Sequence, residues 1–309
     1  MKRLSKVLVV LVLVFTLAGC TQYMKDAEKK NVINKETGQA LTSNILCKPT
    51  KKELLELYTE NNNSLKIKLE KLPECKSMKY NDLKYDGIWE AIFVKPLALV
   101  IVWIGNLVKN YGLAVMLVGL LIRVILMPLT AKTLMQSQKM KDAQVELKKL
   151  EKKYENKNDK DAMMAKSQET MTIYKKYGIN PFTSCLGAFV QLPLFFAFLE
   201  AINRVPAIFE GKFLGLQLGT TPWVGVINKG NYLYIIVLVL IIISTYFSFK
   251  QSMSATTSSD QANQTKFMTN FMLIFIAIAS VNLPTAIGLY WIATNLFAVV
   301  QHGVLKRKV

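Results

Sequence analysis

The stretch YGLAVMLVGLLIRVILMPLTA, residues 111–131, constrains this chain more than any other part of it. Twenty-one residues carry one charge, which is enough length to cross the hydrocarbon of a bilayer. In that medium every backbone amide must be satisfied within the segment, so the stretch folds as a helix. Four more such stretches follow, at about 182–202, 232–249, 267–281 and 283–301. The fourth is short, and Leu283-Pro284 leaves almost no loop before the fifth, so these two form a tight hairpin at one surface. A hydrophobic content of 51% excludes an ordinary soluble protein. The fold class is all-α, a membrane protein of five transmembrane helices.

The formal charge is +18. In a membrane protein such an excess belongs in short cytoplasmic loops and against lipid headgroups. The lysines lack interleaved aromatics, which disfavours nucleic acid as a partner. Segment 132–180 is lysine-rich and the chain ends Lys306-Arg307-Lys308, so both face the cytoplasm. Loop 204–231 and the turn 281–284 then face outward, and the long segment 20–95 translocates regardless of its charge.

The first residues read as a secretory signal: Lys2, Arg3 and Lys6, an apolar run, then Leu17-Ala18-Gly19-Cys20. That box resembles a bacterial lipoprotein signal, implying cleavage after residue 19 and a lipid such as palmitate on Cys20. Residues 20–85 form a polar, lysine-rich extracellular segment, read as a spacer with two short amphipathic helices at KKELLELY and SLKIKLEKL. Cys47 and Cys75 both lie in it and can pair as a disulfide. Cys185 reads as an apolar packing residue. With His302 as the sole histidine, no ordinary zinc site forms, and no metal or cofactor is expected. Asp86-Gly87 opens IWEAIFVKPLALVIVWIGNLVKN, broken by Lys95, Pro96 and Asn106; this predicts an amphipathic helix on the outer membrane face.

Between the first two spans, Met140, Ala143, Leu147, Leu150 and Tyr154 recur at three- and four-residue steps, as do Met164, Ser167, Met171 and Tyr174 after the polar turn 156–160. This predicts a cytoplasmic antiparallel helical hairpin with a narrow seam. Gly178 is its C-cap, Asn180 the next N-cap, and Pro181 the first helical position. Such a hairpin is either a solvated linker or a contact arm.

Arg123 is the charge inside the first stretch. A guanidinium there is costly and belongs against a polar interior or a wet cavity. At a rise of 1.5 Å per residue, Arg123 lies roughly 12 Å from the inner end of its span, Gln191 roughly 14 Å and Trp291 roughly 15 Å. Three helices thus bring a polar or amphipathic group to one level, with Asn295 a turn further on the last. Glu200, the acid within the spans, lies roughly 27 Å deep on the same scale, out of reach of Arg123. With no polar series in the outer half, a hydrophilic groove open to the cytoplasm and closed outside is expected.

DGIWEAIFVKPL, GLLIRVILMPLT, YGINPF followed by QLPLFFAF, and LYWIATNLF resemble the YidC/Oxa/Alb membrane-protein insertase family, in its Gram-positive-type lipoprotein form. The resemblance covers roughly residues 86–309. It implies a five-helix core around a groove lined by Arg123, Gln191 and Trp291, and no enzymatic chemistry. It further implies nascent membrane proteins as substrates, the Sec translocon as a partner, and membrane lipids around it. A long basic C-terminal tail, linked in relatives to ribosome binding, is reduced here to LKRKV, so tail-dependent docking is weak. A channel or small-solute transporter is the other reading, opposed by the lack of a repeated half.

Overall fold

The structure is a computed structural model that describes residues 21–306, apart from Ala27, 83–86, Asn156, Asn158 and 254–258. The side chains of 134, 137, 181–192, 251–253, 259–269 and 305–306 also fall outside that description. The expected signal segment 1–19 and Cys20 lie outside the described residues.

In chain order the helices are α1 Lys52–Glu60, α2 Gly87–Val108, α3 Tyr111–Ile125, α4 Met127–Asp142, α5 Gln144–Tyr154, α6 Lys160–Lys176 and α7 Pro181–Arg204. A short α8, Pro206–Phe209, leads into an antiparallel ribbon of β1 Lys212–Phe213 and β2 Leu216–Gln217. Then come α9 Pro222–Ile227, α10 Leu233–Met253, α11 Ser259–Asn282 and α12 Thr285–Lys306. The chain divides into two units. One runs up to Gly119 and takes Leu192–Val239 and Ala279–Trp291; the other takes Leu120–Gln191, Leu240–Ile278 and Ile292 onward. Every division falls inside a helix, within α3, α7, α10, α11 and α12.

In the first unit, residues 21–82 are a folded module rather than a spacer. Met24, Leu41, Ile45, Leu54, Tyr58, Leu65, Leu69 and Leu72 share one buried core with Phe209. Cys47 and Cys75 are joined by a disulfide of 2.07 Å. KKELLELY forms α1, but SLKIKLEKL does not form an α-helix; it is irregular, bending at residues 66–67 between 3-10 turns at Asn62–Ser64 and Leu69–Lys71. Leu65, Ile67 and Leu69 alternate with lysines, a two-residue period, and Leu65 and Leu69 are the buried members.

Helix α2 contains one π-helical turn, Glu90–Val94. Its exposed stripe is apolar, Ile88, Ile92, Trp103 and Leu107, whereas its buried face holds Glu90 and Lys95. The module grips it at two widely separated points: Tyr80 Oη donates to the Ala91 carbonyl (3.2 Å), and Asn106 Nδ2 donates to the Lys76 carbonyl (3.2 Å). Left-handed Lys109 ends α2, and the Asn110 side chain accepts from the Leu113 amide (3.0 Å) to start α3.

Among the described residues, Gly87–Val108, Leu233–Lys250 and Thr285–Val304 are long and apolar enough to cross a membrane. The pair α3 and α4, bent by 60° at their junction, adds a fourth if it is one crossing. The segment expected on the outer face, Gly87–Val108, is itself long and apolar enough to cross. One expectation changes. The first span, expected straight over 111–131, is straight only to Ile125. Pro128 is the reason, since it has no amide to donate to residue 124 and its ring crowds that carbonyl.

In the second unit α5 and α6 form the expected hairpin. Ala143, Leu147, Tyr174 and Ile179 make its buried cluster, with Met140, Ile173 and Tyr177 partly buried against it. The second arm is rotated from the expected register. Met164 and Met171 are exposed, Ser167 is exposed, and Ala162 is buried in their place. Asp159 sets that phase by accepting from the Ala162 amide (3.0 Å), and Glu169 takes a seam position by accepting from Tyr154 Oη (2.8 Å). Gly178 is left-handed at φ +60°, and the Ile179 amide donates back to the Tyr174 carbonyl (2.8 Å).

Candidate functional site

Arg123 sits in the last turn of α3, half-buried, where a cation complements the carbonyl end of a helix. The 60° bend shortens its height above residue 131. Five residues rising at half rate plus three at full rate give on the order of 8 Å rather than 12 Å. Along the α3 axis, Arg123 therefore stands closer to the level of residue 131 than a straight helix would place it.

Two cross-helix hydrogen bonds lie in the same unit as Arg123. Thr130 Oγ1 is 3.2 and 3.1 Å from the carbonyls of Leu126 and Met127, at the bend, and accepts from Gln301 Nε2 of α12 at 2.6 Å. Asn295 Nδ2 of α12 donates to Thr245 Oγ1 of α10 at 2.8 Å, both side chains being buried. The expected groove residue Asn295 thus has a structural partner that the sequence reading missed. A threonine on an apolar helix carries little sequence signal until its partner is known.

Gln191 lies on α7, but its side chain falls outside the described residues, as does that of Cys185. Trp291 belongs to the first unit, half-buried on α12 with its ring 5.1 Å from that of Phe195. One residue earlier, Tyr290 stacks on Phe198 at 4.0 Å, so aromatic contacts bind α12 to the part of α7 that follows Pro193.

The densest polar construction is elsewhere in the first unit. Arg204, at the end of α7, holds Glu90 of α2 at 2.8 Å and Glu200 at 3.6 Å. Its Nε donates to the Asn44 carbonyl at 2.7 Å, and its own carbonyl accepts from the Leu46 amide at 2.8 Å. Trp89 Nε1 donates to Glu200 at 3.0 Å. All three charged side chains are buried, so each depends on the others. Glu200 and Arg204 stand four apart, a spacing that marks a helical ion pair. Glu90 and Asn44 are reached only through tertiary structure. The same end of α7 carries Glu210 after α8, which accepts from the Thr50 and Lys51 amides and from Thr50 Oγ1 at 2.6–3.1 Å. No cluster of three or more metal-ligating side chains occurs among the described residues.

Several long apolar helices, one with an arginine in its last turn, define a multi-pass membrane protein. The chain belongs to the family described as "60Kd inner membrane protein", which matches residues 103–309. Curated relatives agree. A "Membrane protein insertase YidC" of Oceanobacillus iheyensis is 35% identical over 70% of this chain and 82% of its own. "Membrane protein insertase YidC 2" of Bacillus anthracis is 37% identical over 72% and 83%, and "Membrane protein insertase MisCA" of Bacillus subtilis 35% over 70% and 79%. A crystal structure of an active YidC insertase with its first transmembrane domain resolved aligns at 22% identity and a TM-score of 0.45. That alignment covers 80% of this chain and 52% of that one, too distant to add to the family assignment.

Proposed function

We propose that this chain is a membrane protein insertase that takes nascent integral membrane proteins into the bilayer, alone or with the Sec translocon. The observation that carries the reading is Arg123, a fixed positive charge inside an apolar helix of a family whose relatives bear the insertase name.

In this reading five helices cross: α3 with the first turn of α4, α7, α10, the apolar end of α11, and α12. Helix α2 lies along the outer face. Ala91 and Asn106 are about 22 Å apart along a helix. Both contact residues 76–80, which a helix crossing the bilayer could not offer to one external loop. The apolar stripe Ile88, Ile92, Trp103 and Leu107 then rests on lipid. The N-terminus is outside, lipidated on Cys20, and the hairpin α5–α6 and the C-terminus are in the cytoplasm.

A nascent segment enters a cytoplasm-open groove lined by Arg123, Gln191, Trp291 and Asn295. Arg123 attracts an acidic or polar stretch and offsets part of its desolvation cost. Gln191 and Asn295 offer amides, and Trp291 an amphipathic wall. The apolar helix of the substrate slides outward against lipid, and hydrophobic transfer drives its release. The membrane potential assists acidic segments.

A benzophenone side chain placed at Trp291 tests the groove. It is expected to crosslink a ribosome-arrested single-span substrate, while the same probe at Lys35 in the outer module does not. Equal crosslinking at both positions would contradict the reading.

A further inference from the structure

The turn between β1 and β2 consists of Leu214 and Gly215, both left-handed at φ +48° and +80°. A two-residue turn of this kind favours Asn-Gly, because a branched side chain in the left-handed region is strained. Leu214 is nevertheless there, and it is 78% exposed. In water both choices are unfavourable. Against acyl chains the exposure becomes favourable burial, which offsets the strain.

Three contacts fix the level of this turn. Phe213 packs on Gly112, the second residue of α3, so closely that a Cβ there would stand 2.6 Å from the Phe213 Cβ. The Gln217 amide donates to Tyr234 Oη on the first turn of α10 (3.0 Å), and a Cβ on Gly215 would lie 3.7 Å from Leu233. The turn therefore sits where α3 and α10 begin.

Beside it is an open surface cavity of about 580 Å³ lined by Lys229, Asn231, Tyr232, Leu233, Ile235 and Ile236 along with Gly230. Its lining combines residues that carry an ammonium, an amide and a phenol with exposed leucine and isoleucine side chains of α10. Trp223 and Ile227 of α9 and Lys212 of β1 are exposed as well, in the same unit of the chain. A cation above aliphatic side chains, at the level where helices enter the bilayer, complements a phosphodiester above acyl chains.

We infer that this corner, Leu214 with the cavity from Lys229 to Ile236, is a binding site for an anionic phospholipid of the outer leaflet. The phosphate rests at Lys229, the acyl chains run along Leu233 and Ile236, and Leu214 inserts beside them. The inference rests on the membrane placement proposed above.

Native mass spectrometry of the full-length protein in detergent tests it, with phosphatidylglycerol and phosphatidylcholine added in turn. The wild type is expected to retain phosphatidylglycerol several-fold over phosphatidylcholine. Lys229→Glu should abolish that preference, Lys229→Arg should keep it, and Lys35→Glu in the outer module should leave it unchanged. A Lys229→Glu variant that matches the wild type overturns the site. Membrane placement is read separately, by labelling Leu214→Cys and Lys35→Cys in intact vesicles with an impermeant maleimide. At least tenfold slower labelling at position 214 is expected. Equal rates refute the placement and the site with it; slow labelling without any lipid preference refutes the site alone.

Discussion

The module 21–82 and the hairpin α5–α6 look alike as sequence, both lysine-rich, studded with glutamate and sparse in apolar residues. Their attachments differ. The module has a buried core shared with Phe209, a disulfide, and a carbonyl on the buried Arg204. The hairpin has one thin seam, and its ion pairs, Lys153 with Glu169 and Lys176 with Glu146, lie at the partly exposed edge of that seam. Similar composition therefore yields a clamp in one place and a loosely held arm in the other. What separates them is the burial of charge. Exposed pairs contribute little, whereas a buried pair makes each partner indispensable to the other.

The largest expected effect follows from that contrast. Arg204→Ala leaves Glu90 and Glu200 buried without their cation and is expected to cost about 3–5 kcal/mol, read as a fall in melting temperature in detergent and as new protease cutting within the module. Lys153→Ala in the hairpin should leave both readouts unchanged. Next, replacing Cys47 and Cys75 together with alanine opens a loop of sequence separation 28. The lost chain constraint is worth about 3–4 kcal/mol, again confined to the module. Third, Leu147→Ala in the hairpin seam should cost roughly 2 kcal/mol, visible as faster amide exchange in α5 and α6 but not in the module.

The smallest effect is that of pH on the hairpin. Hydrogen bonds from Lys176 to Glu146, and from Lys153 to Glu169, hold both carboxyl groups below the usual glutamate range. Their folded values are depressed, so their contribution is present above the ordinary glutamate value and is lost as pH falls through the lowered one. The same bonds raise Lys153 and Lys176, whose contribution is present below the ordinary lysine value and lost as pH rises through the raised one. Protection of the α6 amides, taken relative to the intrinsic base-catalysed exchange rate at each pH, should be greatest between those limits and fall at either end. A flat profile would mean that these pairs do not hold the hairpin.

The sequence makes the long helices legible because an apolar run of about twenty residues has few alternatives in lipid. It makes the hairpin legible through its period, and Gly178 through its left-handed cap. It misleads where two periods compete. Leu65, Ile67 and Leu69 alternate as a strand does, yet lie in a segment short enough to pass for a helix. On α6 the methionines drew the seam to the wrong face, because the group taking the seam position is Glu169, paired with Tyr154 and Lys153. The candidate site was legible at Arg123 for the same reason the spans were, since a charge stands out against an apolar run. Thr245, Thr130 and Gln301 do not stand out, because hydroxyls and amides acquire meaning from partners fifty or more residues away.

The central claim is that Arg123 supplies a positive charge to the substrate. It is tested most directly by the insertion of a single-span protein, with either an acidic or a neutral external tail, in cells depleted of the wild-type chain and supplied with Arg123→Ala or Arg123→Lys. Loss of the acidic-tailed substrate with Arg123→Ala, its recovery with Arg123→Lys, and a smaller effect on the neutral tail are predicted. Equal insertion of both substrates by Arg123→Ala and the wild type would contradict the account.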